Sequence, residues 1–262
     1  MECSVHHIMI VGPGRCGSTL LIKLMHSFEN LVVLDNSGDS EVAIVSRTLF
    51  GRREVHHDID LMRNRTVLTV SKHPMGAFKL VRCKAALWPA RLGVIFLVRD
   101  YRDVAVSFYH HYWDYKLYRK DFDHFFHKKF IKNSEYIHWF KHVHGWYTNP
   151  KKLDVLYIRY EDMKTDLPGV VRRVVDFCGF DVNEEQFQRV IQRSDFSFMK
   201  QHEEKFDLST GMLMQMGINS GGFIRKGKVG GWEEYFKLSH LDVCSKLYRQ
   251  WITGKVDLPY DL

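Results

Sequence analysis

Short runs rich in Val, Ile and Leu punctuate this chain, and between them lie longer segments whose apolar residues recur every three or four positions. The runs at 6–11, 31–34, 66–70, 94–98 and 153–158 have the pattern of strands buried in a parallel sheet. Helical periodicity predicts helices over 18–28, 103–111, 134–146, 168–178, 184–193 and 239–251, with Asn183 and Gln186 spaced as a capping box. This alternation predicts an α/β fold with a central parallel β-sheet flanked by helices, whose ligands sit beyond the carboxyl ends of the strands. No stretch rich in Pro, Gly or Ser divides the chain, so 1–262 reads as a single domain. Residues 35–65 and 201–222 carry no clear element. The second, with Gly211, Gly217, Gly221 and Gly222, reads as a long loop and a candidate lid.

Composition narrows the setting. The 262 residues are 45% hydrophobic and 26% charged, enough for one sizeable core. A charged leader with an apolar stretch is missing, as is any run of 18 apolar residues, so neither secretion nor a membrane partner is expected. Cys3, Cys16, Cys83, Cys178 and Cys244 are odd in number and form no CxxC pair, which fits a reduced, cytoplasmic chain. A formal charge of +7 favours an anionic ligand. The basic residues are dispersed and no nucleic-acid recognition signature is present, so a smaller polyanion is expected rather than nucleic acid.

The clearest candidate chemistry is Gly12-Pro13-Gly14-Arg15-Cys16-Gly17-Ser18-Thr19, which leaves the first strand and opens the first helix. There, turn amides and a helix N-terminus can converge on a phosphate. The loop nearly meets the GxxxxGK[ST] pattern, but position 18 is Ser where a nucleotide-binding Lys belongs. The strand at 94–98 runs into Arg99 rather than a metal-holding Asp, so the Mg-nucleotide apparatus is missing and no metal is expected. A P-loop-like nucleotide kinase or NTPase is therefore the alternative reading, as is a non-catalytic protein that binds adenosine bisphosphate.

Three segments together resemble the cytosolic sulfotransferases that use 3′-phosphoadenosine 5′-phosphosulfate (PAPS). The loop is similar to that family's PKSGTTW element, with Arg15 in place of its Lys, Leu20 in place of its Trp, and Gly17, Ser18 and Thr19 keeping the chemistry of Gly-Thr-Thr. Arg15 retains the charge and loses the Lys geometry. Arg99 and Ser107 reproduce the family's 3′-phosphate spacing, and 223–232, FIRKGKVGGW, resembles its RKGxxGDW element with Gly231 replacing the Asp. The segment at 155–163, VLYIRYEDM, and the SDFSFMK at 194–200 agree as well. The similarity runs in order from about residue 8 to 235.

The resemblance implies a P-loop-like sulfotransferase fold and an enzyme that moves a sulfuryl group from PAPS, releasing the bisphosphate PAP. Gly14, Arg15, Cys16, Gly17, Ser18 and Thr19 would hold the 5′ end of the donor. Arg99, Ser107, Phe223, Arg225, Lys226 and Gly227 would hold the 3′-phosphate, and Tyr160, Ser194 and Phe196 the adenine. The family places a His base about sixty residues past the loop Lys; His73 stands 58 past Arg15, just after the predicted strand at 66–70. His73 and Arg15 are thus the catalytic candidates. Glu41, 26 past Arg15, is the competing base on the pattern of glycosaminoglycan-type sulfotransferases.

Aromatic residues crowd 108–118 and 122–130, and the region of Tyr112, Trp113 and Tyr115 is expected to border the pocket of a small hydroxylated or amine-bearing acceptor. Most of these rings individually should simply pack helices on the sheet. The family's dimer segment, a Lys-Thr-Val pattern, is not reproduced in 232–240, which leaves the oligomeric state open.

Overall fold

The computed structural model describes residues 6–12, 16–17, 20–21, 24, 31–35, 66–70, 91–114, 118–132, 139–149, 152–201, 227–258 and 260. Its centre is a five-stranded, wholly parallel sheet of β1 (His6–Val11), β2 (Leu31–Asp35), β3 (Thr66–Val70), β4 (Arg91–Val98) and β5 (Asp154–Arg159), in the order β2-β3-β1-β4-β5. From Gly93 to Val98 every residue of β4 is buried, as expected of an apolar run covered on both faces. β4 begins before the predicted 94 because Arg91 to Gly93 continue the ladder opposite His6 to Ile8.

The sheet order creates a crevice. After β1 the chain moves to β2 and β3 on one side, and after β4 it moves to β5 on the other, so their exits diverge at the carboxyl edge. Ligands of open α/β sheets bind at such a point. Gly12 lies against β4 there, close enough that a Cβ would stand 2.5 Å from Leu97 O.

Helices cover the sheet: α1 (Tyr101–Asp114), α2 (Phe122–Phe125), α3 (Trp139–Tyr147), α4 (Tyr160–Thr165), α5 (Leu167–Cys178), α6 (Glu184–Ser194), α7 (Phe196–Gln201) and α8 (Leu238–Trp251). Leu20, Leu21 and Leu24 are helical as well, and Leu21 and Leu24 are fully buried. α1 starts two residues ahead of expectation because Asp100 caps it, its carboxylate accepting the Arg102 N–H at 2.8 Å. The capping box of α6 is present, with Asn183 Oδ1 accepting from Gln186 N–H at 2.9 Å and Gln186 Oε1 from Asn183 N–H at 3.0 Å. α8 buries His240, Cys244 and Tyr248, one residue per turn on a single face. Of the helix predicted over 134–146, the part before Trp139 lies outside the described residues.

The second aromatic run belongs to the core. Phe122, Phe125 and Phe126 are buried in α2 and the π-helical turn Phe126–Phe130 that follows it, a helical piece the periodicity did not reveal. Their rings meet Tyr109, Tyr235 and Phe236. In the first run Trp113 is exposed and Tyr112 half-buried, and Tyr115 lies outside the described residues. The loops at 35–65 and 201–222, with the candidate lid, also lie outside them except for Asp35 at the end of β2 and Gln201 at the end of α7. Among the described residues no helix is long and apolar enough to cross a membrane.

Candidate active site

Two turns that are far apart in sequence meet at the crevice. Gly17 has φ +94°, a left-handed conformation that favours glycine, and a Cβ on it would stand 2.7 Å from Cδ2 of Tyr160. Its carbonyl accepts from Leu21 N–H at 3.2 Å, which ties the turn to the helical residues that follow it. Gly17→Ala is expected to cost about 1–3 kcal/mol in urea unfolding, because the Tyr160 ring it would strike is buried and packed against the Arg99 guanidinium. An unchanged unfolding midpoint would contradict this packing. Cys16, beside Gly17, is almost wholly buried, and burial pushes its thiol up against the opposing pull of Arg99, which disfavours the thiolate that a nucleophile needs.

Arg99 stands at the exit of β4 with only 8% of its surface exposed. Its backbone is pinned from two helices: Trp139 Nε1 donates to Arg99 O at 3.0 Å, and the next amide, Asp100 N–H, donates to Glu161 Oε1 at 3.1 Å. The other Glu161 oxygen accepts from the Tyr260 hydroxyl at 2.8 Å. The Arg99 guanidinium lies 4.2 Å from the centre of the Tyr160 ring. It also donates to Lys228 O at 3.0 Å and stands 3.7 Å from Asp103 Oδ2. Of the two acids that follow it closely, Asp103 is the buried neighbour of Arg99, whereas Asp100 is taken by Arg102, whose Nε donates to it at 3.0 Å.

A continuous set of contacts therefore joins the two turns, from Gly17 through the Tyr160 ring and the Arg99 guanidinium to Lys228. Next to Lys228, Gly227 abuts the ring of Phe196, with a Cβ at 2.3 Å from Cε2. Lys164 Nζ lies 4.6 Å from the centre of the same ring. One turn of chain before Phe196, Ser194 is 2% exposed, and its Oγ finds no hydrogen-bond partner among the described residues. A buried hydroxyl left in that state is costly unless something else engages it, which suits a residue placed to meet a ligand. Ser107 lies half-buried on α1.

Of the candidate site residues, Gly17, Arg99, Tyr160, Phe196 and Gly227 are brought together by those contacts, with Cys16 next to Gly17 and Ser194 two residues before Phe196. Gly14, Arg15, Ser18, Thr19, Phe223, Arg225 and Lys226, together with His73 and Glu41, lie outside the described residues. Sequence reasoning did not single out Trp139 or Glu161. Glu161 stands inside the motif-like YEDM stretch, whereas nothing local marks a tryptophan in a distant helix as a hydrogen-bond donor to Arg99.

Elsewhere, Asp123, His127 and His240 bring ligand-type atoms within 4.8 Å of one another. His240 Nδ1 accepts the Lys237 N–H at 3.0 Å, so the ring proton resides on Nε2, which points at Asp123 Oδ1 at 3.0 Å. A proton thus occupies the place a metal would need. Burial holds the His240 ring below its ordinary value, in keeping with a neutral imidazole in a hydrogen-bonded clamp between α2 and α8.

Comparison with known proteins agrees with this geometry. The family model for the sulfotransferase domain matches residues 5–256. Rat sulfotransferase 2A1 is 29% identical over 255 residues, covering 94% of this chain and 84% of that protein. Human sulfotransferase 2B1 is 32% identical over 181 residues, covering 67% of this chain and 48% of that protein. Among solved structures, mouse sulfotransferase SULT7A1 complexed with PAP superposes with a TM-score of 0.71 at 20% identity, over 95% of this chain and 85% of that one. Retinol dehydratase in complex with retinol and PAP gives 0.67 at 23% identity, over 100% and 85%. Those structures share the fold of this chain, and the match along nearly its whole length makes it a member of the sulfotransferase family, an enzyme of sulfuryl transfer.

Proposed function

We propose that this protein transfers the sulfuryl group of PAPS to a hydroxyl or amine of a small-molecule acceptor. The observation that carries the reading is the convergence of the Gly17 turn and the Lys228 turn on Arg99 and Tyr160 at the crevice between β1 and β4. A donor with phosphate at both its 5′ and 3′ positions needs two such cradles, and a nucleotide triphosphate needs only one. The buried Ser194 hydroxyl and the Phe196 ring next to Gly227 supply a polar contact and an aromatic face for a base.

In this reading the acceptor atom attacks sulfur in line, and the sulfur–oxygen bond to the 5′-phosphate breaks as the new bond forms. His73 takes the acceptor proton. The Gly14–Thr19 amides and hydroxyls and the Arg15 guanidinium meet the charge that builds on the leaving phosphate, where one preorganised donor contributes about 3 kcal/mol. β3 ends at Val70, paired with Ile10 of β1, so the chain leading to His73 departs from the same sheet edge as the phosphate loop. Retinol dehydratase, which shares this fold, is solved with retinol and with androsterone, in keeping with a small-molecule acceptor here.

Purified protein incubated with radiolabelled PAPS and pooled hydroxylated and amine acceptors, without added metal, is expected to yield labelled product. No product together with tight ATP binding would overturn the reading in favour of a kinase or NTPase. Binding of PAP without turnover of any acceptor would favour a non-catalytic adenosine-bisphosphate binder. His73→Ala is expected to lower kcat by about a hundredfold or more with PAP affinity unchanged, the scale of a lost general base. Surviving activity in His73→Ala with loss in Glu41→Ala would move the base to Glu41.

A further inference from the structure

Asp103 is buried to 3% exposure in the first turn of α1, and its burial pushes the carboxyl up. Such a placement is costly for a side chain that could have been apolar. What the carboxylate does there is specific. It accepts the Gly230 N–H at 2.9 Å, with the Trp232 amide also directed to it, and it lies 3.7 Å from the Arg99 guanidinium.

Besides the Phe196 ring against Gly227, the stretch from Gly227 to Gly230 has few other tethers among the described residues. Lys228 and Val229 are exposed, so the turn buries almost no apolar surface of its own. Its described tethers are the Arg99 bond to Lys228 O, the Asp103 bond to Gly230, and the Arg102 guanidinium 4.1 Å from the centre of the Trp232 ring. The first of these uses the cation that a phosphate would also draw upon. An Arg99 turned toward phosphate gives up Lys228 O, and Asp103 then keeps the turn docked without spending a donor.

Resting on the donor reading above, we propose that Asp103 is a positioning residue for the 3′-phosphate half of the site, fastening the 227–232 turn to α1 and aiming Arg99, without itself touching the nucleotide. Its effect is confined to ligands that carry a 3′-phosphate. A residue with a merely structural role would alter the binding of every adenosine nucleotide alike.

The test is calorimetric titration of PAP and of adenosine 5′-phosphate, which differ only in the 3′-phosphate, into the wild type, Asp103→Ala and Asp103→Asn. In Asp103→Ala the affinity for PAP is expected to fall by about tenfold or more while that for adenosine 5′-phosphate stays within about threefold. Asp103→Asn, which still offers an oxygen to the Gly230 N–H, is expected to retain PAP affinity within about threefold. Should the Ala variant fail to fold, Asp103→Leu fills the buried space without an acceptor and takes its place. Parallel losses for both nucleotides, or undiminished preference for PAP in the Ala or Leu variant, would overturn the role of Asp103 alone. A wild type that binds the two nucleotides equally would overturn the 3′-phosphate reading itself, and this role with it.

Discussion

Arg99→Ala is expected to lose both nucleotide binding and a large part of the fold's stability. The guanidinium that disappears is the one at 3.7 Å from Asp103, whose side chain is 3% exposed, so the substitution leaves a buried carboxylate without its cation. Removing one partner of a buried pair costs about 3–5 kcal/mol. It also removes the contact with the Tyr160 ring and the bond to Lys228 O, so the two turns of the crevice lose the group they share. PAP affinity should fall by about a hundredfold or more, the value of a charge-assisted bidentate contact. Arg99→Lys separates the two effects. An ammonium restores charge opposite Asp103 and most of the stability, but lacks the planar fork, so PAP binding stays weak. Urea unfolding and PAP titration on the three proteins read both quantities, and PAP affinity in Arg99→Ala within about threefold of wild type would remove Arg99 from the site.

The second large effect is acid sensitivity centred on His142. The ring is 5% exposed on α3, packed beside Phe96 and Trp146, and its Nε2 finds no hydrogen-bond partner among the described residues. Burial therefore pushes it down to about 3 from an ordinary 6.5. Because the folded value is the lower one, the unfolded chain binds the extra proton. The stability held by the neutral ring is complete above about pH 6.5, and it is lost as pH falls toward 3 at up to about 1.4 kcal/mol per unit. His142→Phe, similar in size and unable to titrate, removes this dependence. Between pH 7 and pH 5 the wild type is expected to lose about 2 kcal/mol more than the variant in urea unfolding. Equal losses in the two proteins would show that His142 is not the buried neutral group described here. His142 makes none of the crevice contacts described above, so PAP binding by the variant at pH 7 is expected to be unaltered.

The strands, most helix positions and the parallel α/β class were legible because each rests on a local pattern. A buried parallel strand is a short apolar run, and a helix declares its stripe and its caps within a dozen residues. Boundaries slipped where the deciding contact was not periodic: α1 begins at Tyr101 because the Asp100 carboxylate caps it, and α2 draws its covering rings, Tyr235 and Phe236, from far along the chain. Arg99 was legible as a phosphate candidate through the resemblance of its spacing with Ser107 to the family's 3′-phosphate segment. Its neighbours were not, since Lys228 lies 129 residues away and Trp139 lies 40.

The sequence by itself therefore determined the local machinery: a glycine turn between strand and helix, an Arg at a strand end, a basic glycine turn late in the chain, and the missing loop Lys that argues against a kinase. Only the tertiary structure decided that these pieces share one place. Strand order β2-β3-β1-β4-β5 sends the chain away from β1 and β4 in opposite directions, opening a crevice where Gly17, Tyr160, Arg99 and Lys228 stand in contact. Turn geometry and periodicity act over a few residues and can be read along the chain. Pairing across more than a hundred residues depends on which strands lie side by side, and only the folded sheet settles that.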